Sequence, residues 1–296
     1  MALPAAVSAT WPEAAGRTLV MGVLNLTPDS FSDGGRLVAV PAALRAATRM
    51  LAQGADLLDL GGQSTRPGAE VVGAAVELQR LLPVLAAVQE LRSSHPHLLI
   101  SIDTFDATVA AATLAAGADW INDVRGANYT VGSSRASLRD PQMLPLIARS
   151  GCPYVLMHSR GSSHTMDDLA VYGDVVAEVR SELLAATEQA LAAGVRAEQL
   201  IWDPGLGFAK TTEQNLALLR GLGMLRAEGF PLLVGPSRKR FIGAVLGEAR
   251  PRARLWGTAA VCAQAVAAGA RVLRVHDVAP ICQVVRMADA LRPIVP

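Results

Sequence analysis

The sequence predicts a single α/β domain, a closed (β/α)8 barrel, and three observations carry that expectation. Short apolar runs alternate with longer Ala/Leu-rich segments along the whole chain. Several of the longer segments reach a glycine just before the next apolar run, at Gly54, Gly117, Gly151 and Gly194, as helix C-termini do. Eight such units fit within 296 residues, a length ordinary for one barrel of this kind.

The elements follow in order. TLVMGVLN (18–25) opens as an apolar strand, and AALRAATRMLAQG (42–54) has the spacing of a helix covering it. DLLDLGG (56–62), LLISID (98–103), DWIND (119–123) and PYVLMH (153–158) are the next strand-like runs. VVAEVRSELLAATEQALAAG (175–194) again carries helical periodicity, and QLIWD (199–203), PLLVGPS (231–237) and RVLRVHD (271–277) complete the eight strands. Runs that are apolar almost throughout suit a parallel sheet buried on both faces. A dinucleotide-binding open sheet is disfavoured, because no G-x-G-x-x-G opens a first helix. GPSRKRFIG (235–243) lacks the G-K-[ST] ending of a phosphate loop. Residues 1–17 read as an Ala/Pro-rich arm, and 18–296 as the barrel.

Composition narrows the function. Half of the chain is apolar (51%) and 18% is charged, enough to bury a large core. A formal net charge of +1 provides no general attraction for nucleic acid or an anionic membrane. No apolar stretch approaches the roughly 20 residues of a membrane helix. Cys152, Cys262 and Cys282 are odd in number and widely spaced, which predicts reduced thiols in the cytoplasm. The first 17 residues hold one acid, Glu13, and no base before Arg17, unlike a signal or transit peptide.

In such a barrel the chemistry sits at the C-terminal ends of the strands. Those places hold Asn25, Asp59, Asp103, Asn122 with Asp123, His158, Asp203, Ser237-Arg238-Lys239, and Arg274 with His276. Any one of them could be a helix cap; so many on one rim exceed what capping needs. Asp203 and Asn122 together could read the N–H and amino edge of a guanine-like heterocycle, since an ionised carboxylate accepting two N–H bonds is strong and directional. Lys239 could donate to the ring's other side. Arg66, Arg274 and His276 offer cations for a diphosphate, and Asn25 a neutral oxygen for Mg²⁺. Phe208, in DPGLGFAK (203–210), could pack over a flat ring. No H-E-x-x-H motif, Cys/His cluster or G-x-S-x-G elbow supports a zinc site or a serine hydrolase.

At this point the chain resembles the dihydropteroate synthase family of the folate pathway. The resemblance rests on MGVLNLTPDSFSDGG (21–35), DLGGQSTRPGA (59–69), SIDT (101–104), INDV (121–124), VLMH (155–158), DPGLGFAK (203–210), GPSRKRF (235–241) and RVHDV (274–278), in family order. It implies a TIM-barrel transferase that joins p-aminobenzoate to 6-hydroxymethyl-7,8-dihydropterin diphosphate. It assigns Asp103, Asn122, Met157, Asp203, Phe208 and Lys239 to the pterin, and Asn25 to Mg²⁺. Thr65, Arg66, Pro67, Ser237, Arg274 and His276 are assigned to p-aminobenzoate and diphosphate, with Asp103, Lys239, Arg274 and His276 as the catalytic set. Phe31 and Asp33 fall in a first mobile loop that would close over substrate. Similarity also implies a homodimer through late helices.

The chain departs from the family pattern at Gln63, where many relatives carry Glu, at Arg125 after INDV, at Arg240, where several have Ser, and in a loop 127–139 that reads as long. Three rivals remain. Corrinoid-linked methyltransferases read pterins on the same barrel but need no diphosphate site, against STRPG (64–68) and RVHDV. An inactive pterin-binding paralogue would bind without turnover. An aldolase would use Lys239 as a Schiff-base nucleophile, which borohydride would trap.

Overall fold

The computed structural model describes residues 17–27, 36–65, 68–131 and 138–292. Phe31, Asp33, Arg66 and Pro67 lie outside the described residues, as do 1–16 of the expected arm. Eight strands alternate with helices in chain order: β1 (Leu19–Asn25), α1 (Arg36–Ala52), β2 (Leu57–Gly61), α2 (Ala74–Gln89), β3 (Leu99–Asp103), α3 (Ala107–Ala115), β4 (Trp120–Tyr129) and α4 (Met143–Ser150). They continue as β5 (Tyr154–Arg160), α5 (Val175–Ala192), β6 (Leu200–Asp203), α6 (Thr212–Arg220), α7 (Leu222–Arg226), β7 (Leu233–Val234), α8 (Arg240–Leu246), α9 (Leu255–Ala267), β8 (Val272–Val275) and α10 (Val278–Ala290). All pairings are parallel, in the order β6-β5-β4-β3-β2-β1-β8-β7. A parallel bridge between Trp202 and Leu232 joins the two ends and closes the barrel.

β7 is shorter than the expected 231–237 because Pro231 and Pro236 bracket it, and proline cannot donate to a ladder. β4 and β5 are longer than expected. Their register shifts between Asp123 and Ala127, and pairing then resumes to Tyr129 and Arg160. Ala127–Tyr129, read from sequence as the start of a long loop, are therefore strand. α1 begins at Arg36, ahead of the expected 42. Asp106 and Asp174 cap α3 and α5 by accepting from two backbone N–H groups each, as N-cap carboxylates do.

Side-chain alternation sorts every strand into an inner and an outer face. Leu19, Met21, Leu57, Trp120, Val155, Ile201, Leu233 and Val272 form one buried cluster plugging the inside of the barrel. The opposite parity, including Leu58, Ile100, Ile121 and Leu273, packs outward under the helices in a separate cluster. Counting two residues on from the inner plug lands on Asp59, Asn122, Met157, Asp203 and Arg274. Two further reach Asn25, Asp103, Ser237 and His276. Period two thus stacks a polar layer directly above an apolar one, toward the strands' C-terminal ends.

Candidate active site

Arg274 organises the polar layer. Its Nε donates to Asp59 Oδ2 at 2.6 Å and its Nη2 to Asp103 Oδ2 at 2.6 Å, so one planar fork clamps two carboxylates from adjacent strands. Asn122 Nδ2 donates to the same Asp59 oxygen at 3.1 Å. With its NH2 committed, the amide of Asn122 keeps its carbonyl oxygen for a ligand. Asp203 Oδ1 accepts from the Gly205 N–H at 2.7 Å, and its second oxygen makes no hydrogen bond within the described residues. Met157 stands beside Asp203 in register on the neighbouring strand. Three carboxylates, Asp59, Asp103 and Asp203, thus meet two cations, Arg274 and Lys239, in one nearly dry layer.

Burial sets the protonation equilibria here. It pushes the Asp103 carboxyl up against the opposing pull of Arg274, and raises Asp203 against the Gly205 hydrogen bond and Lys239. Burial works to lower Arg274, but Asp59 and Asp103 outweigh it and hold the guanidinium charged. Lys239 is brought down to about 8 by burial and then by Arg274, and its Nζ sits 4.2 Å from the centroid of the Phe208 ring. Lys239 also senses Asp203 and Asp103, which places it over the same mouth as Arg274.

One expectation changes here. Ser237 Oγ accepts from the His276 backbone N–H at 3.2 Å and shares a hydrogen bond with the ring Nδ1 at 3.0 Å. Burial, then Arg238 and Arg274, lowers His276 to about 3. In the unliganded site His276 is therefore a neutral imidazole, where the sequence predicted a cation. Arg274 stays charged, and with Nε and Nη2 on carboxylates its Nη1 hydrogen-bonds none of the described residues.

Asp123 and His158 do not belong to the mouth. Both have outward parity: Asp123 accepts from Tyr154 Oη at 2.6 Å, and His158 Nε2 lies 2.7 Å from Glu182 on α5. Because both runs are apolar on either face, only counting by twos from the inner plug separates Asp123 and His158 from the mouth. Asp59, noted from sequence only as a strand-end residue, emerges as the fully buried hub, with its Oδ1 unpartnered among the described residues.

Asn25 ends β1 with its Oδ1 facing the place where a Gly61 Cβ would stand, 3.6 Å away, and Asp103 Oδ2 lies 3.7 Å from the same point. Gly61 leaves that space open, and the Asn25 side chain hydrogen-bonds none of the described residues. A neutral oxygen beside a carboxylate fits a hard divalent cation that takes its remaining ligands from phosphate and water. Among the described residues no cluster of three His, Cys, Asp or Glu side chains could hold a metal without such help.

Thr65 and Phe208 face a small cavity of about 40 Å³ beside the mouth, shared with Phe105, Arg125 and Asn128. Arg125 stacks on Phe105 with its guanidinium carbon 3.5 Å from the ring centroid. Arg240 pairs with Asp167 at 2.7 Å on the surface. Gln63 accepts the Val72 N–H at 2.8 Å and so ties down the segment beyond β2.

Fold and site together define a (β/α)8 barrel with a buried layer of carboxylates, an amide and cations at the C-terminal ends of its strands. A family model of pterin binding enzymes matches residues 21–276, and the chain belongs to that family. Within it the chain falls among the dihydropteroate synthases. It is 49% identical to the dihydropteroate synthase of Synechocystis over 93% of this chain and 90% of that one. The structure of the Xanthomonas albilineans dihydropteroate synthase with 4-aminobenzoic acid superposes with a TM-score of 0.83 at 42% identity, covering 95% of this chain and 94% of that chain. The Clostridium difficile dihydropteroate synthase, in the presence of pteroic acid, gives a TM-score of 0.84 at 36% identity, covering 95% and 99%.

Proposed function

We propose that the chain condenses 6-hydroxymethyl-7,8-dihydropterin diphosphate with p-aminobenzoate, releasing diphosphate and forming 7,8-dihydropteroate for folate synthesis. The observation that carries this reading is the single polar layer in which Asp203 and Asn122 keep free acceptor oxygens beside the Arg274 clamp. Asp203 and Asn122 receive N–H groups of the pterin's amino edge, Lys239 donates from the other side, and Met157 and Phe208 bound the ring.

The chemistry follows from charge placement. The C–O bond to diphosphate breaks first, and the electron pair leaves with the phosphate oxygen. The methylene carbon is left cationic and conjugated with the ring, above Asp103 and Asp203, whose negative charge is preorganised in a low-dielectric site. The arylamine nitrogen then bonds to that carbon and loses a proton. Arg274 and the imidazole of His276 serve the departing diphosphate, with Thr65 and Ser237 on the p-aminobenzoate side. Asn25 would hold Mg²⁺, which would supply Lewis-acid assistance to the leaving group. Purified protein given both substrates and Mg²⁺ should form dihydropteroate, and a protein that binds pterin without product would be the inactive paralogue.

Lys239 predicts a pH limb. A lysine held at about 8 loses its charge as pH rises through that value, well below the ordinary lysine range. The kcat/KM for pterin diphosphate should therefore fall above pH 8, and Lys239→Arg should move the fall to higher pH. An unchanged limb in that variant would remove Lys239 from the pterin contact.

Two copies of the chain are proposed to associate through α8 and α9. Val245, Leu246 and Trp256 are 57%, 51% and 79% exposed, and Gly257, next to Trp256 in the chain, lets α9 approach Leu246. Sedimentation equilibrium should give twice the chain mass, and Trp256→Glu should return the monomer. A wild-type monomer at micromolar concentration would refute the pairing. Among the described residues no helix is long and apolar enough to cross a membrane. The three cysteines are free, which supports placement in the reducing cytoplasm.

A further inference from the structure

The loop 203–210 carries Phe208 to the mouth, and its own backbone does not explain why it stays there. Gly205 and Gly207 have φ of 66° and 76°, and Ala209, which has a Cβ, is also left-handed at 48°. A Cβ on Gly205 would lie 1.8 Å from the His158 carbonyl oxygen, so the loop lies directly on β5 at that point. Such a turn directs backbone carbonyls inward, where they need donors.

Lys210 supplies them. Its Nζ donates to Gly205 O at 3.0 Å, to Phe208 O at 3.0 Å and to His158 Nδ1 at 2.9 Å, using all three ammonium hydrogens. The side chain is 7% exposed, and the motif reading of DPGLGFAK gave it no task. Because Lys210 donates to Nδ1, the His158 proton resides on Nε2 and is given to Glu182 Oε2 at 2.7 Å. Glu182 pairs in turn with Arg160, which also holds Glu178 at 2.8 Å and lies 3.8 Å over the Tyr172 ring. The chain of contacts runs from α5, through the outer face of β5, to the underside of the loop, and it is separate from the Arg274 clamp. Burial lowers both Lys210 and His158, and the charge of Lys210 lowers His158 further, while Asp203 and Glu182 pull Lys210 back up.

We propose that Lys210, anchored by His158 and Glu182, is a positioning residue that fixes Phe208 against the pterin ring and thereby sets pterin affinity without touching substrate. The inference rests on the reading of Phe208 as a wall of the pterin site. Removing the ammonium frees two inward carbonyls and lets the loop relax, so the ring's stacking partner is lost while the p-aminobenzoate side is left alone.

The test is a double-mutant cycle read by calorimetry with a non-reactive pterin and by steady-state kinetics on the full chain. Lys210→Met should weaken pterin binding and raise its KM by about 10- to 100-fold, the loss expected on removing a charged hydrogen-bond partner. The KM for p-aminobenzoate should change less than about threefold, near the few-tenths-of-a-kcal/mol noise of such cycles. In a Phe208→Ala background the same substitution should have little further effect on pterin binding. Should Lys210→Met not fold, His158→Leu removes one of the three acceptors and should give the same pterin-selective, Phe208-dependent pattern at smaller size. Equal losses for both substrates, or full additivity with Phe208→Ala, would assign Lys210 to general stability and overturn the inference. Intact pterin binding in Phe208→Ala alone would overturn the reading of Phe208 and the inference with it.

Discussion

Arg274→Ala should lower kcat/KM by about 10²–10³, the scale for losing one preorganised charge-stabilising group. The structure adds a second effect that sequence alone does not suggest. Arg274 is the shared partner of Asp59, which is fully buried, and Asp103. Deleting it leaves two carboxyls in a dry layer, and breaking a buried pair by removing one partner costs about 3–5 kcal/mol. The lower end applies, because Arg274 retains some exposure and the aspartates can take up protons instead. The melting temperature should fall by about 5–10 °C. Arg274→Lys keeps a charge but cannot reach both carboxylates with one fork, so it should restore stability in part and turnover less. Turnover near wild type in Arg274→Ala would contradict the clamp's part in the reaction.

The second large effect is expected at Asp203. In Asp203→Asn the amide oxygen can still accept the Gly205 N–H that Asp203 Oδ1 now receives, so the turn survives. The NH2 then occupies the position of the free carboxylate oxygen, and donor faces donor. Losing a hydrogen bond to a charged group costs about 1.5–3 kcal/mol, or roughly 10- to 100-fold in pterin affinity. Binding of p-aminobenzoate should be nearly unchanged once a pterin analogue is saturating. Calorimetry on the two ligands separately measures this, and equal weakening of both would show that Asp203 supports the whole mouth and not the ring edge.

The strands and their order along the chain were legible as apolar runs, and the polar rim followed from where those runs end. Parity was legible too. Leu57, Asp59 and Gly61 share a face, as do Val272, Arg274 and His276, and the same count puts Asp123 and His158 outside. What one strand cannot show is partnership. Arg274 meets residues 215 and 171 positions away, and only the pairing of β8 with β1 carries it to β2 and β3. The same limit hid the neutral state of His276, which is created by burial and by Arg238 and Arg274. It hid Lys210 as well, since its acceptors are backbone carbonyls and a histidine on another strand. The length of β4 depended on a register shift that no local pattern announces.

The central claim is that the ring's cradle and the leaving group's cation share one mouth. A crystal of the protein with a non-reactive pterin and pyrophosphate tests it most directly. The account predicts the ring's N–H edge about 3 Å from the free oxygens of Asp203 and Asn122, with pyrophosphate on the His276 and Arg274 side of the ring. A pterin seated in the cavity beside Arg125, or pyrophosphate bound away from Arg274 and His276, would contradict it.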